Sequence, residues 1–449
     1  MRFSNISTIL SLAFAILILG PLGCRDGLQL WGSSISLQQL RPVGLAPSPV
    51  VVTVGDSEGI RSMRVQRVDG NRKKNILSQS YSPPARPAVE ELLLSVASDP
   101  PSRGQMILRI AVEDAQGNQS SQDFAIPHSD ETPKISLFKG PQSLIEAEPA
   151  VAIIQTSGEG IESAGIMIGT RKIPGVPISL RGSAGKADKF LTLFVPPSAS
   201  DGSTIRIYAQ NRALNTASTP LGVAVRSASA PEKTIKMRQD DVADMITSSV
   251  SLLRRESNLY DASLKFQGET LSAETSLKQF FGSFLDLNLA IIPRLLAVKP
   301  RSSTTLKGPL SKPWGRLVAP FRSRWTIVTD SETYRTGSMP FQLREGDATS
   351  VKSIGQGTVV FNEHLGPLGN AVGVDSGSGL VLVYGLLESS PLSLGSRVIV
   401  GANIGKPRRY IGQNVGRYLL AAFINGEAVN PAPFYNKEWI ESSLNLYLK

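Results

Sequence analysis

The sequence predicts a mainly β protein: two tandem β-sandwich modules, a short helical segment, and a C-terminal domain built on an antiparallel sheet. Three observations predict it. Short β-branched runs such as Val50-Val51-Val52-Thr53-Val54 are separated by Gly, Pro and Ser clusters, the punctuation of an all-β chain. A pattern recurs once between residues 45 and 226. Apolar spacing then shifts to a helical period from about residue 233 to residue 300. At 449 residues, and roughly 100–200 residues per domain, there is room for about three domains.

The first element is a targeting segment, read as residues 1–23. A charged start, Met1-Arg2, leads into the apolar run Ile9 to Leu19 and then Gly20-Pro21-Leu22-Gly23-Cys24. That order spells an export signal; the run is short for a membrane span, which needs about 20 apolar residues. Cys24 is the only cysteine, so no intramolecular disulfide exists. Residues 24–44 read as a linker.

The duplication follows. Glu58-Gly59-Ile60-Arg61-Ser62 is echoed by Glu159-Gly160-Ile161-Glu162-Ser163, and the strand Ile107–Asp114 with its polar turn is echoed by Ile205–Asn211 with its own. A period of about a hundred residues is too long for a solenoid unit and suits two sandwich modules, read as 45–130 and 131–228. As ligand binders they would need an aromatic or charged cluster, and none stands out; a spacer role is the plainer reading.

In the helical segment, 229–313, Val242, Met245, Ile246, Val250 and Leu253 recur at helical spacing after Gln239-Asp240-Asp241, an acidic start. Leu277, Phe280, Phe281, Phe284 and Leu285 form a second stripe before Pro293. Such stripes pack against a core or receive a partner. A Pro- and Ser-rich stretch, 299–313, leads into the last domain, 314–449. There Gly357–Phe361, Asn370–Val374, Leu380–Tyr384 and Ser396–Val400 read as successive strands. Ile424-Asn425-Gly426 reads as a hairpin turn.

Charge restricts function. The formal net charge is +10 with signs mixed along the chain, which suits anionic surroundings such as phospholipid or wall carboxylates, or a merely basic protein. No motif or basic helix points to nucleic acid.

Cys24 directly after the signal core resembles the lipidation site of bacterial lipoproteins. The resemblance implies cleavage before Cys24 and a lipid anchor there, each buried methylene contributing about 0.8 kcal/mol; an uncleaved anchor or plain secretion are the alternatives. Arg25, where an Asp would retain such a protein at the inner membrane, implies the outer membrane facing the periplasm. The two modules, the first ending in Ala111-Val112-Glu113-Asp114-Ala115-Gln116-Gly117-Asn118, resemble bacterial immunoglobulin-like domains.

The last domain resembles the zinc metallopeptidases of the lysostaphin and LytM type, which cut peptide cross-links in bacterial walls. Gly357-Thr358-Val359-Val360-Phe361 matches the family's Gly-x-Val-Val-x strand, and Leu368-Gly369-Asn370-Ala371-Val372 its Tyr-Gly-Asn-x-Val turn. Val374 to Gly379 matches Ile-Asp-His-Gly-x-Gly, Tyr384-Gly385-Leu386-Leu387 matches Tyr-x-His-Leu, and Leu394 to Gly405 matches Val-Gly-x-x-Val…Gly-x-x-Ile-Gly. Gly416 to Pro431 matches Gly-x-His-Leu-His-Phe…Asn-Gly…Val-Asn-Pro.

The resemblance places the zinc on a His-x-x-x-Asp strand and on the second His of His-x-His. Counted without gaps from Gly357, the first pair falls on Ser338 and Gln342; a shifted register gives Arg335 and Met339. The His-x-His positions fall on Tyr418 and Leu420, and the Tyr-x-His-Leu histidine is Leu386. Neither register supplies a ligand pair, and every metal and acid-base position of the family is changed. The chain has only two histidines, His128 and His364, whereas catalytic zinc usually takes three protein ligands and an open position. The resemblance therefore implies a degenerate, non-catalytic member with no metal and no cofactor. Asp375-Ser376-Gly377-Ser378-Gly379 only loosely approximates a nucleophile elbow and reads as a hairpin turn. Gly412-Gln413-Asn414-Val415-Gly416 is a lone Gly-rich loop.

Inactive members of this family include activators of wall amidases, which act through the degenerate groove. Here Ser338, Gln342, Tyr384, Arg408, Arg409, Arg417 and Tyr418 would line it, the guanidinium groups meeting stem-peptide carboxylates or an acidic partner helix; as the alternative, the arginines are solvated loop residues. The expected partner is peptidoglycan or a cell-wall hydrolase. A structural scaffold of the envelope is the second expectation, and an active zinc-dependent peptidoglycan endopeptidase the third.

Overall fold

The computed structural model describes residues 33–38, 42–45, 47–69, 72–83, 89–96, 105–178, 188–253, 276–297, 310–346, 349–409 and 415–444. The export segment, Cys24 and most of the Gly412–Gly416 loop lie outside the described residues. The described residues form two compact units, one of them taking in residues 42–45 and those from 128 onward.

The other unit is a two-sheet sandwich. Arg72–Ser80, Ile60–Asp69, Gln105–Asp114 and Gln119–Pro127 form one sheet, and Ser34–Gln38, Ser48–Gly55 and Val89–Val96 form the other. Strict alternation makes it: Met106, Leu108, Ile110 and Val112 are buried from one sheet, Val50, Val52 and Val54 from the other. Ser34–Gln38 lies inside the stretch read as linker. Its Ser-Ile-Ser-Leu-Gln alternation is short, but pairing with Ser48–Gly55 completes it as an edge strand.

The repeat read from the sequence is a repeat of structure. In the first copy Ala115 N donates to Gly59 O and Asp114 N to Asn118 O; in the second Arg212 N donates to Gly160 O and Asn211 N to Asn215 O. Both copies shift register at the same place, Ile60/Ser62 and Ile161/Ser163.

The second sandwich packs Val176–Ile178, Lys189–Phe194, Ala150–Ser157 and Lys134–Lys139 against Arg171–Pro174, Ile161–Ile168, Ile205–Asn211 and Thr216–Pro220. Ile154, Ile166, Phe190, Phe194 and Ile207 fill its core. Lys189–Phe194 is buried at every position. Its alternate residues Leu191 and Leu193, with Val151 and Ile153, belong to an apolar cluster continuous with the C-terminal sheet. The second module is thus no free-standing spacer. Arg322–Glu146 (2.7 Å) and an Arg171–Glu427 ion pair also join it to the last domain, and Asn430 N donates to Ala147 O (2.9 Å).

The large C-terminal sheet runs Arg316–Ala319, Gln342–Gly346, Gly416–Ile424, Asn403–Arg409, Leu380–Ser389, Asn370–Gly377, Gly357–His364 and Arg397–Val398, with Leu380–Ser389 also pairing directly with Gly416–Ile424. Ser378-Gly379 and Asn425-Gly426 make two-residue hairpin turns in which both residues have positive φ, the geometry that matches strand twist. Ser396–Val400 is a strand over two residues only: turns at Gly395 and Gly401, both with φ near +80°, cut it short and leave Ile399 and Val400 exposed.

The helical segment covers one face of this sheet. Glu232–Lys236 pairs in parallel with Arg324–Val328 and leads into α1, Gln239–Leu253. The second stripe begins as a π-type turn, Gln279–Phe284, bent at Gly282, and continues as α2, Leu285–Ala297, which runs through Pro293. A β-carbon on Gly282 would stand 2.8 Å from the Tyr334 hydroxyl. Met245, Ile246, Phe280, Phe281, Phe284 and Leu285 share a core with Leu343, Leu386, Leu419 and Phe423. A short helix α3, Lys437–Ser443, follows, capped by the Asn436 side chain on Trp439 N.

Candidate functional site

Gly416–Ile424 lies between Gln342–Gly346 and Leu380–Ser389, with Gln342 opposite Leu420, Leu343 opposite Leu419 and Tyr384 opposite Leu420. Successive residues of a strand face opposite sides. Leu343, Leu419, Ala421 and Phe423 therefore face the helices, and Tyr418, Leu420 and Ala422 the other cluster.

Leu386 breaks the alternation. It adopts φ +57°, a left-handed conformation uncommon for a residue with a β-carbon, and turns onto the helix face beside Leu343 and Leu419. Tyr384 and Leu387, on either side, stay on the opposite face.

This placement separates the residues read as the degenerate site. Leu386 is on one face; Gln342, Tyr384, Tyr418 and Leu420 are on the other. Ser338 and Gln342 lie one residue out of step with Met339 and Leu343, and a one-residue difference in register moves every side chain across the sheet. The positions that share a face with Leu386, at the spacings His-x-x-x-Asp and His-x-His, are Met339 with Leu343 and Arg417 with Leu419. A small cavity of about 30 Å³ lies among Met339, Phe341, Leu343, Leu386 and Leu419, closed by Met245, Phe281 and Leu285. Its walls are hydrocarbon, thioether and ring carbon, which offer no hard donor to zinc.

The opposite face is a buried hydrogen-bonded network. Arg344 Nη1 donates to Gln342 Oε1 (3.0 Å), Gln342 Nε2 to the Tyr435 hydroxyl (3.0 Å) and the Tyr418 hydroxyl to Trp314 O (2.7 Å). The Tyr384 hydroxyl accepts from Ile354 N (2.9 Å). Burial pushes the Tyr384 phenol up to about 12 and raises that of Tyr418 as well. These satisfied groups hold the domain together and present no open surface. Ser338 is exposed, its hydroxyl bound to Arg322 O (2.8 Å).

The arginines do not form a common fork either. Arg417 Nε pairs with Glu345 (2.7 Å), a carboxylate that Arg316 and Arg417 hold below its usual range against the effect of burial. Arg408 is ion-paired with Asp244 of α1. Arg409 is exposed. Two of the three guanidinium groups are thus tied to carboxylates of the protein, which the sequence does not reveal because Glu345 and Asp244 lie 72 and 164 residues away.

Of the two histidines, His128 bridges Val43 at the foot of the second module. His364 is buried in the last domain, where desolvation and then the Arg408 charge push its imidazole down to about 4. Among the described residues no three His, Cys, Asp or Glu side chains cluster as a metal site would. Ser376 and Ser378 are buried in the hairpin that Asp375 closes by accepting from Gly377 N (2.9 Å), a turn and no nucleophile elbow.

Residues 339–431 match the model of peptidase family M23, the match opening on Met339. No curated protein matches the chain. Among solved structures it is similar to a proposed peptidase M23 from Pseudomonas aeruginosa, at 14% identity over 66% of this chain and 95% of that one, TM-score 0.35. It is also similar to a zinc-containing peptidase from Vibrio cholerae, at 11% identity over 75% and 82%, TM-score 0.22. A third likeness is to the SpoIIQ–SpoIIIAH pore-forming complex, at 19% identity over 31% and 97%, TM-score 0.22. TM-scores of this size establish no common overall fold, and the assignment rests on the sequence match. Residues 339–431 are a domain of peptidase family M23, the LytM type, carried behind two β-sandwich modules.

Proposed function

We propose that this protein is a catalytically inactive LytM-type protein of the cell envelope that binds peptidoglycan or regulates a cell-wall hydrolase. One observation carries the reading: the face onto which Leu386 turns is apolar at Met339, Leu343 and Leu419 and is sealed by α1 and α2. A hydrolytic zinc needs about three protein donors and a site open to water and substrate; this face supplies neither. The lipid anchor at Cys24 and the outer-membrane location belong to the same proposal and rest on the sequence alone.

The test is elemental analysis of the purified chain after equilibration with zinc, together with zymography on wall material and co-sedimentation with purified sacculi. The expected result is no stoichiometric zinc, no clearing, and retention on sacculi or enrichment of a hydrolase. One zinc per chain with clearing overturns the proposal.

The scaffold reading has one observation in its favour. The second module is joined to the last domain through a shared apolar cluster and several polar links, which suits a rigid spacer. Recovery of one defined partner at stoichiometric yield would exclude it.

A further inference from the structure

We propose that the cleft between the segment 139–151 and α3 binds a primary ammonium group, with Glu148 as its counter-ion and Trp439 as an aromatic wall. The cleft has a volume of about 460 Å³, within the range of roughly 300–1,000 Å³ usual for small-ligand sites. The second module supplies Glu148 and Lys139; the last domain supplies Trp439 and Ser442. Pro141, Pro149, Pro196 and Pro433 add rigid apolar surface.

Glu148 is half-buried and accepts one hydrogen bond, from Asn430 Nδ2 at 2.8 Å. Among the described residues no cation pairs with it. The guanidinium whose field reaches it, Arg322, is bound to Glu146 at 2.7 Å, so two carboxylates share one positive charge. Burial raises the Glu148 carboxyl, and the Asn430 hydrogen bond and the Arg322 field oppose that without cancelling it. A partly desolvated carboxylate lacking a counter-ion gains from an incoming cation. Trp439 is half-buried and fixed edge-on against Phe434, centroids 5.4 Å apart at 76°; its indole lines the same cleft as the carboxylate, and an aromatic face attracts an ammonium group.

Lys139 also lines the cleft, and its ammonium donates to Ser442 O across it. The proline walls suit an alkyl arm. The ligand is therefore a single amine on an apolar chain, as a lysine-like residue of a peptide presents it. This deepens the wall-binding reading and rests on it for the source of the peptide.

The experiment titrates the full chain calorimetrically with Nα-acetyl-L-lysine amide, with its Nε-acetylated form and with cadaverine. Co-sedimentation with sacculi runs in parallel. The lysine amide is expected to bind, Glu148→Gln and Trp439→Ala to weaken it at least about tenfold, and Nε-acetylation to abolish it. Gln keeps an acceptor for Asn430, and an unchanged unfolding midpoint separates lost binding from lost fold. Equal binding of the acetylated form, or indifference to Glu148→Gln, overturns the cleft. Cadaverine binding more tightly than the lysine amide overturns the peptide source. Sacculus binding without amine binding overturns the cleft and leaves the wall reading standing; amine binding without sacculus binding does the reverse.

Discussion

Leu343 and Leu419 stand directly opposite one another on adjacent antiparallel strands, on the face into which the left-handed backbone of Leu386 turns its side chain. The three leucines, with Met339, hold the helices to the sheet. Their role is packing. Leu343 and Leu419 are 2% and 4% exposed, so truncating either removes contacts that water cannot replace.

Leu343→Ala and Leu419→Ala are each expected to destabilise the C-terminal unit by about 2–5 kcal/mol, read from denaturant unfolding. The double variant should lose less than the sum of the two, because both line one small cavity. Arg409→Ala, at an exposed position, should stay within about 0.5 kcal/mol. Equal, small effects at all three positions would mean that the leucine face is open to solvent.

The Arg408–Asp244 pair fastens α1 to the sheet. Asp244 is 63% exposed and Arg408 14%, and a pair with one exposed partner contributes about 0–1 kcal/mol. Asp244→Asn should therefore change global stability little. Amide exchange in α1 should nevertheless speed up, since opening of the helix loses one of its few polar ties; Ser331 Oγ to Gln239 (3.0 Å) is another. High salt should mimic the substitution in the wild type. No change in α1 exchange under either condition would remove the pair from the account.

Much of this fold was legible, and the failures have physical causes. Gly-rich turns and β-branched runs located the strands of the last domain, because hairpin geometry demands particular residues. The duplicated turns at Asp114 and Asn211 were readable for the same reason. The face of each site residue was not readable. Register in a sheet is a parity, and the left-handed Leu386 reverses it locally with no mark in the sequence. The tight packing of the second module was partly visible: Lys189-Phe190-Leu191-Thr192-Leu193-Phe194 has apolar residues at both parities, the pattern of a strand buried on both sides. The cleft holding Glu148 was not visible, since its walls come from segments about 290 residues apart.

His364 makes the last domain sensitive to acid. Its imidazole is neutral in the fold, pushed down to about 4 from 6.5. An unfolded chain takes up that proton near pH 6.5, so between these values the unfolded state binds more protons, and stability falls as the pH drops. The loss amounts to roughly 3 kcal/mol by pH 4. His364→Gln should flatten the difference between unfolding free energies measured at pH 7 and pH 4.5, whatever it does to stability at pH 7. Parallel pH profiles for variant and wild type would show that another group dominates.

The two duplicated turns use different hub residues, and this predicts an asymmetry. Asp114 Oδ1 accepts from Gln116 N and Asn118 N, each at 2.8 Å, and Oδ2 accepts from Asn118 Nδ2 at 2.7 Å; every contact suits a carboxylate. Asn211 Oδ1 likewise accepts from Ala213 N and Asn215 N at 3.0 Å, but its Nδ2 donates to Glu131 O at 2.8 Å. Asn211→Asp would set a carboxylate oxygen against that carbonyl in a site 3% exposed. A buried charge facing an acceptor costs more than a lost hydrogen bond, so the substitution should destabilise by about 2–4 kcal/mol near neutral pH. The cost should shrink on acidification, as protonation turns the oxygen back into a donor toward Glu131 O. Unfolding curves for Asn211→Asp at pH 7 and pH 5, referred to wild type at the same pH, read both effects. A penalty independent of pH would mean that the loop moves to avoid the contact, and the hub would then be a product of the turn and no cause of it.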